Sequence, residues 1–381
     1  MELIDEAAER AEGVIEKCST PNGLYASGAR GGYTSVWARD SMITLLGASL
    51  CGDRFKKVYK NSLGTLAKHQ SRLGQIPNCV DIFEKKKKVT FATIDSSLWF
   101  LIGEHFYSEA YNDKSLLRRH RKNIEKALLW IDYQDAGEDS LPEQQPTCDW
   151  QDCFPHKYGH TINTQALYYR ALKCFGKGAL AGEISGIING HARKDLTMFD
   201  AKQGYYLPWI WKSHDGIREQ GNWFDSLGNL LAINMGLAER KKANAILAHI
   251  EGKKINRPYP VMCLHPPIRQ GTKDWQDYFT KCLAGKEWQY LNAGIWPFIG
   301  GFYVSALVTT GQFKKAEREL ELLAKANRLG IRGKWEFNEW IDPKTGRAKG
   351  GAYQAWSAGG YLFAYNAVKN KEVPVFRTKL K

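Results

Sequence analysis

Apolar residues recur at helical spacing in many separate segments of this chain, and strand-like alternation is nearly absent. The pattern predicts an all-α protein, because apolar residues three or four positions apart share one face of a helix. The predicted helices span residues 2–18, 40–52, 54–70, 95–111, 114–134, 162–175, 179–194, 225–238, 239–252, 295–310, 313–328 and 354–369.

Two kinds of helix alternate in this prediction. Every second segment, such as DSMITLLGASLCG or SLGNLLAINMGLA, is apolar or small on most faces, which is typical of a helix buried on all sides, whereas the segments between carry the charges. The buried helices recur about every sixty residues, a spacing typical of structural repeats. Six such pairs predict an (α/α)6 toroid with a single domain over residues 1–381. An open α-solenoid would need self-similar repeats, and these pairs share little sequence.

The segments that lead into the buried helices differ from those that leave them. We call the leading segments the mouth loops, and they read, in chain order, GGYTSVWARD, FATIDSS, TCDWQDCFPHKYGHTIN, EQGNWFDS, WQYLNAGIWP and WEFNEWIDPKTGRAKGGAYQAW. In a toroid all six lie at one end of the ring, so their aromatic and carboxylate side chains converge on one funnel. Plugging the end of the helical core is the alternative role for any single aromatic residue.

Carboxylates stand beside tryptophans in the third and sixth mouth loops. The third contains Asp149 and Asp152 around Trp150, and the sixth contains Glu336 and Glu339. Two carboxylates on opposite walls of a funnel can hydrolyse a glycosidic bond, and Trp or Tyr faces suit pyranose rings. Each of these acids has a plainer alternative, as a helix cap or turn residue for the aspartates and as a solvated loop residue for the glutamates.

Composition excludes several other function classes. The net charge is +14, but the basic residues are scattered over predicted helix faces, and the one run, EKKKKV at 84–89, has no nucleic-acid motif beside it. We therefore expect no nucleic-acid partner. The eight cysteines form no CxxC pair and no zinc spacing, and no phosphate-binding loop is present, which predicts reduced structural thiols, no metal and no cofactor.

The amino-terminal segment MELIDEAAERAEGVIEKC has the pattern of an acidic amphipathic helix rather than that of a signal peptide. No apolar run approaches the length that spans a membrane. We expect a cytoplasmic protein without a membrane partner.

Several segments, including VWARD, GQIPN, TIDSSLWF, NAGIWPFIGGFY and EWIDPKTGRAKGGAYQAWSAGGYL, resemble those of the (α/α)6 glycosidase clan. This clan includes the amylo-α-1,6-glucosidase half of glycogen-debranching enzymes, the neutral/alkaline invertases of glycoside hydrolase family 100 and the family 63 α-glucosidases. The resemblance covers nearly the whole chain. The third mouth loop departs from the invertase pattern after its second Asp, so the leaving group stays open.

The resemblance implies an inverting mechanism with an Asp acid in the third mouth loop and a Glu base in the last. The matching positions are Asp152 for the acid and Glu339 for the base. It also implies that VWARD and the first Asp of DSSLWF hold the non-reducing sugar. The residues expected to bind substrate are Trp37, Arg39, Asp40, Gln75, Asp95, Asp149, Trp150, Gln165, Asp225, Trp296, Glu336, Trp340, Gln354 and Trp356.

We therefore expect an inverting glycoside hydrolase that acts on an α-glucosidic bond of a short oligosaccharide or disaccharide. Three alternatives remain: a phosphorylase on the same scaffold, a sugar-binding module with a dead site, and a basic interaction protein. A phosphorylase would replace the base with a phosphate pocket, which a Glu at position 339 disfavours. A dead site would have lost one acid, whereas both acids are present.

Overall fold

The computed structural model describes residues 2–29, 31–81, 88–281, 285–374, 376–378 and 380. Most of the basic run at 84–89, and Cys282, lie outside these residues. The helices of the described part are α1 (Leu3–Cys18), α2 (Ala38–Ala48), α3 (Lys56–Lys68), α4 (Asp95–Ala110), α5 (Ser115–Arg119), α6 (Arg121–Asp132), α7 (Ile162–Cys174), α8 (Gly178–Ile188), α9 (Ser226–Met235), α10 (Arg240–Gly252), α11 (Pro297–Thr309), α12 (Phe313–Arg328) and α13 (Ala355–Asn370). Short 3-10 helices span Gly52–Phe55, Lys194–Leu196 and Asp277–Lys281.

Six helices form a closed inner ring. In the order α2, α4, α7, α9, α11 and α13, each packs against the next, and α13 packs back against α2. Every residue of α2 and of α9 is buried, as expected for helices with neighbours on all sides. The predicted (α/α)6 toroid is therefore confirmed.

The outer helices bury one face each. In α12 the buried positions include Ala316, Leu320, Leu323 and Asn327, which recur every three or four residues and so share one helix face. One hydrophobic cluster contains residues of every helix in the described part. The single domain over residues 1–381 stays a prediction, and limited proteolysis that yields two stable halves would contradict it.

Glycines bring α13 into backbone contact with α2. A Cβ atom on Gly47 would lie 1.9 Å from the carbonyl oxygen of Gly359, and one on Gly359 would lie 2.3 Å from the Cα atom of Thr44. Only a residue without a side chain allows this approach. The close contact sets the first and sixth mouth loops side by side.

Short antiparallel strands pair several of the mouth loops with other segments of the chain. The described strands are β1 (Ser19–Thr20), β2 (Gly23–Leu24), β3 (Val36–Trp37), β4 (Cys79–Val80), β5 (Val89–Thr90), β6 (His160–Thr161), β7 (Phe199–Asp200), β8 (Tyr205–Tyr206), β9 (Trp209–Lys212), β10 (Arg218–Gln220), β11 (Phe224–Asp225), β12 (Leu264–His265), β13 (Trp340–Ile341) and β14 (Ala348–Lys349). Strands β3, β6 and β11 end where α2, α7 and α9 begin. Alternation cannot reveal strands of two to four residues, so the sequence did not predict them.

The predicted helix 114–134 proves to be two helices, α5 and α6, that meet at His120. The break places the His120 ring against the buried Glu104 of α4, with Nδ1 2.6 Å from Oε1. The predicted helix 225–238 ends earlier, because Gly236 has a φ of +86° and terminates α9 in the left-handed region.

No disulfide bond joins cysteines within the residues that the structure describes. Burial raises the pKa of the Cys263 thiol to about 12, which keeps it protonated and unreactive. Among the helices that the structure describes, none combines the length and the apolar character that crossing a membrane requires.

Candidate active site

A pocket opens at the end of the ring where the inner helices begin. Its lining consists of Tyr33, Trp37, Arg39, Asp40, Trp150, Asp152, Tyr290, Leu291, Trp296, Glu339, Gln354 and Trp356. All of these except Tyr33, Tyr290 and Leu291 were expected from the sequence. The funnel predicted from the mouth loops therefore exists, and both expected catalytic carboxylates line it.

The pocket is narrow in this structure. Its free volume is about 70 Å³, room for a few water molecules at about 30 Å³ each. A sugar ring can enter only if side chains at the rim move, and rotamer changes of this kind are common when ligands bind. Tyr33, one of the lining side chains, is 44% exposed.

Arg39 links three carboxylates of the first three mouth loops. It is the second residue of α2, and its guanidinium places Nη1 3.3 Å from Oδ2 of Asp95 and Nε 3.7 Å from Oδ2 of Asp40. Nη2 lies 3.9 Å from Oδ2 of Asp152. Asp95 is the first residue of α4 and is fully buried, so this anchor is rigid. Arg39 thus connects Asp152, the expected acid, to the inner ring of helices.

Asp152 combines access with an elevated pKa. Its side chain is 42% exposed and faces the pocket. The surrounding protein raises the pKa of this carboxyl, Arg39 opposes the rise, and the charge of Asp149 adds to it. A reachable carboxyl group with an elevated pKa is suited to general-acid catalysis.

Glu339 is buried and held by three donors. The hydroxyl groups of Tyr33 and Tyr290 donate to its Oε1 at 3.3 Å and 3.2 Å, and the backbone N–H of Gly351 donates to Oε2 at 2.9 Å. Burial raises the pKa of Glu339, and although these donors lower it, the net direction is upward. The charge of Asp152 contributes to the rise, as expected for two acids that line one pocket.

The turn that follows Glu339 requires a glycine. Gly350 has a φ of +72°, and a Cβ atom there would lie 2.4 Å from Oε2 of Glu339. The β13–β14 hairpin brings this glycine back alongside, pairing Trp340 with Lys349. Any side chain at position 350 would displace the Glu339 carboxylate.

Several buried polar atoms on residues that line the pocket have no hydrogen-bond partner among the described residues. They are Nε1 of Trp37, Trp150 and Trp356, Nε2 of Gln354 and Oδ2 of Asp40. Burial raises the pKa of Asp40 to about 6, against the effect of Arg39. Buried polar groups are normally satisfied, so this set indicates a site prepared for a polar ligand.

Aromatic rings form the wall behind the carboxylates. Trp356 stacks on Phe298 with ring centroids 4.2 Å apart and meets Trp296 edge to face at 5.7 Å. Trp296 also meets Trp150 edge to face at 5.5 Å. These flat apolar surfaces are suited to the C–H faces of a pyranose ring.

Asp149 and Asp225, two of the expected substrate-binding residues, do not line the pocket. Both are fully buried, and Lys157 lies between them, with Nζ 2.8 Å from Oδ2 of Asp149 and 3.1 Å from Oδ2 of Asp225. Asp225 also caps α9 by accepting the N–H of Gly228 at 3.1 Å. This triad joins the third mouth loop to the fourth from behind the pocket.

Glu336 also lies away from the pocket lining. Its carboxylate accepts the backbone N–H groups of Ile331, Arg332 and Gly333 at 2.8–2.9 Å. Burial would raise the pKa of Glu336, but these donors outweigh it and lower the pKa. We therefore assign Glu336 a structural role, folding the start of the sixth mouth loop, in place of the substrate-binding role expected from the sequence.

Four other expected residues are outside the lining, and one of them is Asp95, which anchors Arg39. Gln165 is fully buried and donates from Nε2 to the carbonyl oxygen of Pro142 at 2.7 Å. Trp340 stands behind Tyr290, with ring centroids 6.2 Å apart. Gln75 lines a separate cavity.

Tyr33, Tyr290 and Lys157 were missed by the sequence reasoning. Both tyrosines stand in mouth loops, GGYTSVWARD and WQYLNAGIWP, so their place in the chain was a usable signal. No local signal marks Lys157, which has the sequence context of a solvated loop residue.

Other features of the described residues carry less chemistry. A larger groove, about 740 Å³, lies against α1, and two of its glutamates pair with basic neighbours, Glu6 with Arg10 at 3.6 Å and Glu16 with Arg54 at 2.6 Å. Within the described part no group of three or more His, Cys, Asp or Glu side chains is arranged to hold a metal ion.

Two family models match separate parts of the chain. Residues 23–137 match amylo-alpha-1,6-glucosidase, and residues 187–371 match alkaline and neutral invertase. The first span contains Arg39, Asp40 and Asp95, and the second contains Glu339. Asp152 falls between them.

Plant invertases are relatives in sequence. Cytosolic invertase 1 of Oryza sativa subsp. japonica is 32% identical over 327 residues, which covers 72% of this chain and 56% of that protein. Probable alkaline/neutral invertase D of Arabidopsis thaliana is 33% identical over 330 residues, 72% of this chain and 59% of that protein. The chain thus spans little more than half the length of these relatives.

Solved glycosidases share the fold. The GH63 mannosylglycerate hydrolase from Thermus thermophilus, in complex with Tris and D-glycerate, superposes with a TM-score of 0.67 at 16% identity, over 93% of this chain and 99% of that chain. A rhamnosidase from Klebsiella oxytoca with rhamnose bound gives a TM-score of 0.65 at 13% identity, over 96% of this chain and 64% of that chain. By sequence and by fold, this chain resembles the six-hairpin glycosidases, as the mouth-loop motifs predicted.

Proposed function

We propose that this chain is an inverting glycoside hydrolase that cleaves an α-glucosidic bond in a short oligosaccharide or disaccharide. The observation that carries the proposal is that Asp152 and Glu339 line one pocket although they belong to the third and sixth mouth loops. Two carboxyl groups facing one aromatic cleft are the minimum machinery for this reaction.

Asp152 acts as the general acid. Its side chain is 42% exposed, so it can reach the glycosidic oxygen of a bound substrate, and its raised pKa lets it carry the proton. Transfer of that proton to the leaving oxygen removes the cost of expelling an alkoxide. Arg39, 3.9 Å away, stabilises the carboxylate that remains.

Glu339 acts as the general base through Oε2. A carboxylate oxygen has two lone-pair sites, and those of Oε1 accept from Tyr33 and Tyr290. Among the residues that the structure describes, Gly351 alone donates to Oε2, which keeps one site for a water molecule. That water attacks the anomeric carbon from the face opposite the leaving group while Glu339 takes its proton, which inverts the configuration.

The same geometry sets an expectation for the two acids. An inverting enzyme needs its carboxyl groups about 6.5–9.5 Å apart, so that a water molecule fits between the base and the anomeric carbon. The non-reducing sugar would lie against Trp296 and Trp356, with its hydroxyl groups on Asp40 and Gln354, because these residues line the pocket and the two polar side chains each keep a free atom.

The choice of an α-glucosidic bond follows from the relatives in sequence, which are named as invertases or matched as amylo-alpha-1,6-glucosidase. A screen with maltose, isomaltose, sucrose, trehalose and limit dextrins, run in EDTA, tests the substrate class directly. We expect hydrolysis of at least one of them without metal or nucleotide. No turnover of any of them would contradict the proposal.

The alternatives have distinct outcomes in the same screen. A phosphorylase would release sugar phosphate only when phosphate is supplied, and a dead-site module would bind sugar without turnover. The buried base held by three donors favours the hydrolase. We also propose a cytoplasmic location, in line with the name of the rice relative Cytosolic invertase 1, although other relatives are named as mitochondrial or chloroplastic.

A further inference from the structure

A second cavity lies beside the candidate active site. Its volume is about 300 Å³, which is at the lower end of the range of small-molecule sites. The lining consists of Gln75, Phe91, Ala92, Thr93, Ile94, Trp130, Tyr133, Gln134, Ala136, Glu143, Gln144, Gln145 and Cys148. Three aromatic residues and four glutamines therefore line one cavity.

The aromatic residues of this second cavity are open to solvent. Tyr133, which follows α6, is 74% exposed, and Phe91 is 40% exposed. Trp130, in the last turn of α6, is partly buried. Large apolar side chains gathered at one exposed site mark an interaction surface.

Three of the four glutamines in the second cavity keep free hydrogen-bonding capacity, whereas the amide of Gln144 bonds Asp149, Thr161 and Thr164. The side chains of Gln75 and Gln145 make no hydrogen bond to another residue in the part of the chain that the structure describes, while that of Gln134 bonds only the carbonyl oxygen of Trp130, at 2.9 Å. An amide offers two donors and an acceptor, which suits the paired hydroxyl groups of a sugar. Rings for stacking and amides for hydroxyl groups together describe a carbohydrate site.

The two cavities share a wall. Ile94 and Cys148 line the second cavity, and the N–H of Ile94 donates to the carbonyl oxygen of Cys148 at 2.8 Å. The next residue after Ile94 is Asp95, the anchor of Arg39, and two residues after Cys148 stands Trp150, which lines the active-site pocket. Residues adjacent in sequence to both partners of this hydrogen bond therefore belong to the active site.

We propose that the second cavity is a separate carbohydrate-binding site that holds an oligosaccharide of several hexose units beside the active site. The choice of ligand rests on the proposed function, because a hydrolase of short saccharides meets such chains as its substrates. Binding there would raise the local concentration of glycan ends at the pocket. It also gives Gln75, expected from the sequence to bind sugar, a role outside the active-site pocket.

The test uses the full chain with Glu339→Gln, which stops turnover, and measures binding by calorimetry. The probes are maltoheptaose and an isomalto-oligosaccharide of the same length. We expect the added pair Phe91→Ala and Tyr133→Ala to weaken binding of the long saccharide at least fivefold, since losing one ring contact alone is worth about 1 kcal/mol. In the chain with Glu339 intact, the pair should leave the hydrolysis rate of α-glucosyl fluoride unchanged.

Ile217→Ala is the matched control, because Ile217 is 63% exposed and lies in the turn between β9 and β10, outside the second cavity. It should change neither binding nor hydrolysis. Unaltered binding of both saccharides in the double variant, or binding of neither saccharide by the parent, would overturn the inference. So would a double variant that turns a dimer into a monomer without changing sugar binding, because the surface would then be a self-association face. If the parent protein hydrolyses no saccharide but the double variant still loses saccharide binding, the second site would be supported and only the proposed function would be refuted.

Discussion

Nη2 of Arg39 lies 3.9 Å from Oδ2 of Asp152, and the same guanidinium holds the fully buried Asp95 at 3.3 Å. The expected acid of the third mouth loop is therefore tied to the start of two inner helices. This arrangement fixes the position of Asp152 while leaving its carboxyl group open to the pocket. It also opposes the effect of burial on the pKa of Asp152, so the acid can give up its proton as well as hold it.

Replacing Asp152 with Asn removes the proton donor. We expect kcat to fall by about 10²–10⁴-fold on a disaccharide, whose leaving group needs protonation. Hydrolysis of α-glucosyl fluoride should fall far less, because fluoride leaves without a proton. Steady-state kinetics on both substrates measure the difference, and an equal loss on both would show that Asp152 is not the acid.

Replacing Glu339 with Gln should abolish turnover of both substrates, since every substrate needs the activated water. Glu336→Gln is the matched control three residues upstream. It should lower the free energy of unfolding by about 1–3 kcal/mol, because one carboxylate oxygen that accepts backbone N–H groups is lost, yet keep kcat near the parent value. The reverse outcome, with Glu339→Gln active and Glu336→Gln inactive, would move the base to Glu336.

Tyr290→Phe removes one donor to Oε1 of Glu339. The hydroxyl stabilises the ionised carboxylate and lowers the pKa of Glu339, so its loss raises that pKa further. Because the base must be ionised, the acidic limb of the pH profile of kcat/KM should move to higher pH. We also expect about a tenfold loss in kcat, the effect of one hydrogen bond to a charged group.

Tyr278→Phe is the control for this profile. Its hydroxyl bonds the ring of His156 at 2.9 Å and does not line the pocket, so the acidic limb should stay in place. If Tyr290→Phe also left the limb in place, the pKa of Glu339 would not govern it.

Lys157→Met leaves two buried carboxylates, those of Asp149 and Asp225, without their cation. Breaking a buried ion network in this way costs about 3–5 kcal/mol of unfolding free energy. Urea denaturation measures the loss. The exposed Lys241→Met on α10 should change stability by less than about 0.5 kcal/mol. A loss at position 157 as small as that at position 241 would mean that the triad does not brace the mouth loops.

The helices and their alternation could be predicted from the sequence, because burial of one helix face or of all faces leaves a periodic record in each segment. The pocket could be predicted from the same periodic pattern, since a ring of six helix pairs brings its mouth loops to one end. Choosing between the individual acids required the motif resemblance, because Glu336 and Glu339 are three residues apart and each stands beside a tryptophan. Positive φ angles at Trp335 and Phe337 turn this segment, and only the folded backbone separates the two side chains.

The contacts between distant loops could not be predicted. Tyr33 reaches Glu339 across 306 residues of sequence and Tyr290 across 49, and no local pattern records either pairing. Lys157 shows the same limit in another form. A lysine in a loop is normally solvated, and its complete burial depends on two aspartates, Asp149 and Asp225, of which the second is 68 residues away.

We propose that Asp152 and Glu339 catalyse hydrolysis with inversion of configuration at the anomeric carbon. The decisive measurement is proton NMR of the anomeric signals during the first minutes of hydrolysis of α-glucosyl fluoride. This substrate is suitable because fluoride leaves without a proton, so the natural leaving group need not be known. An inverting enzyme should release β-glucose first, and α-glucose should follow only by mutarotation. Initial formation of α-glucose, or release at no more than the rate without enzyme, would contradict this proposal.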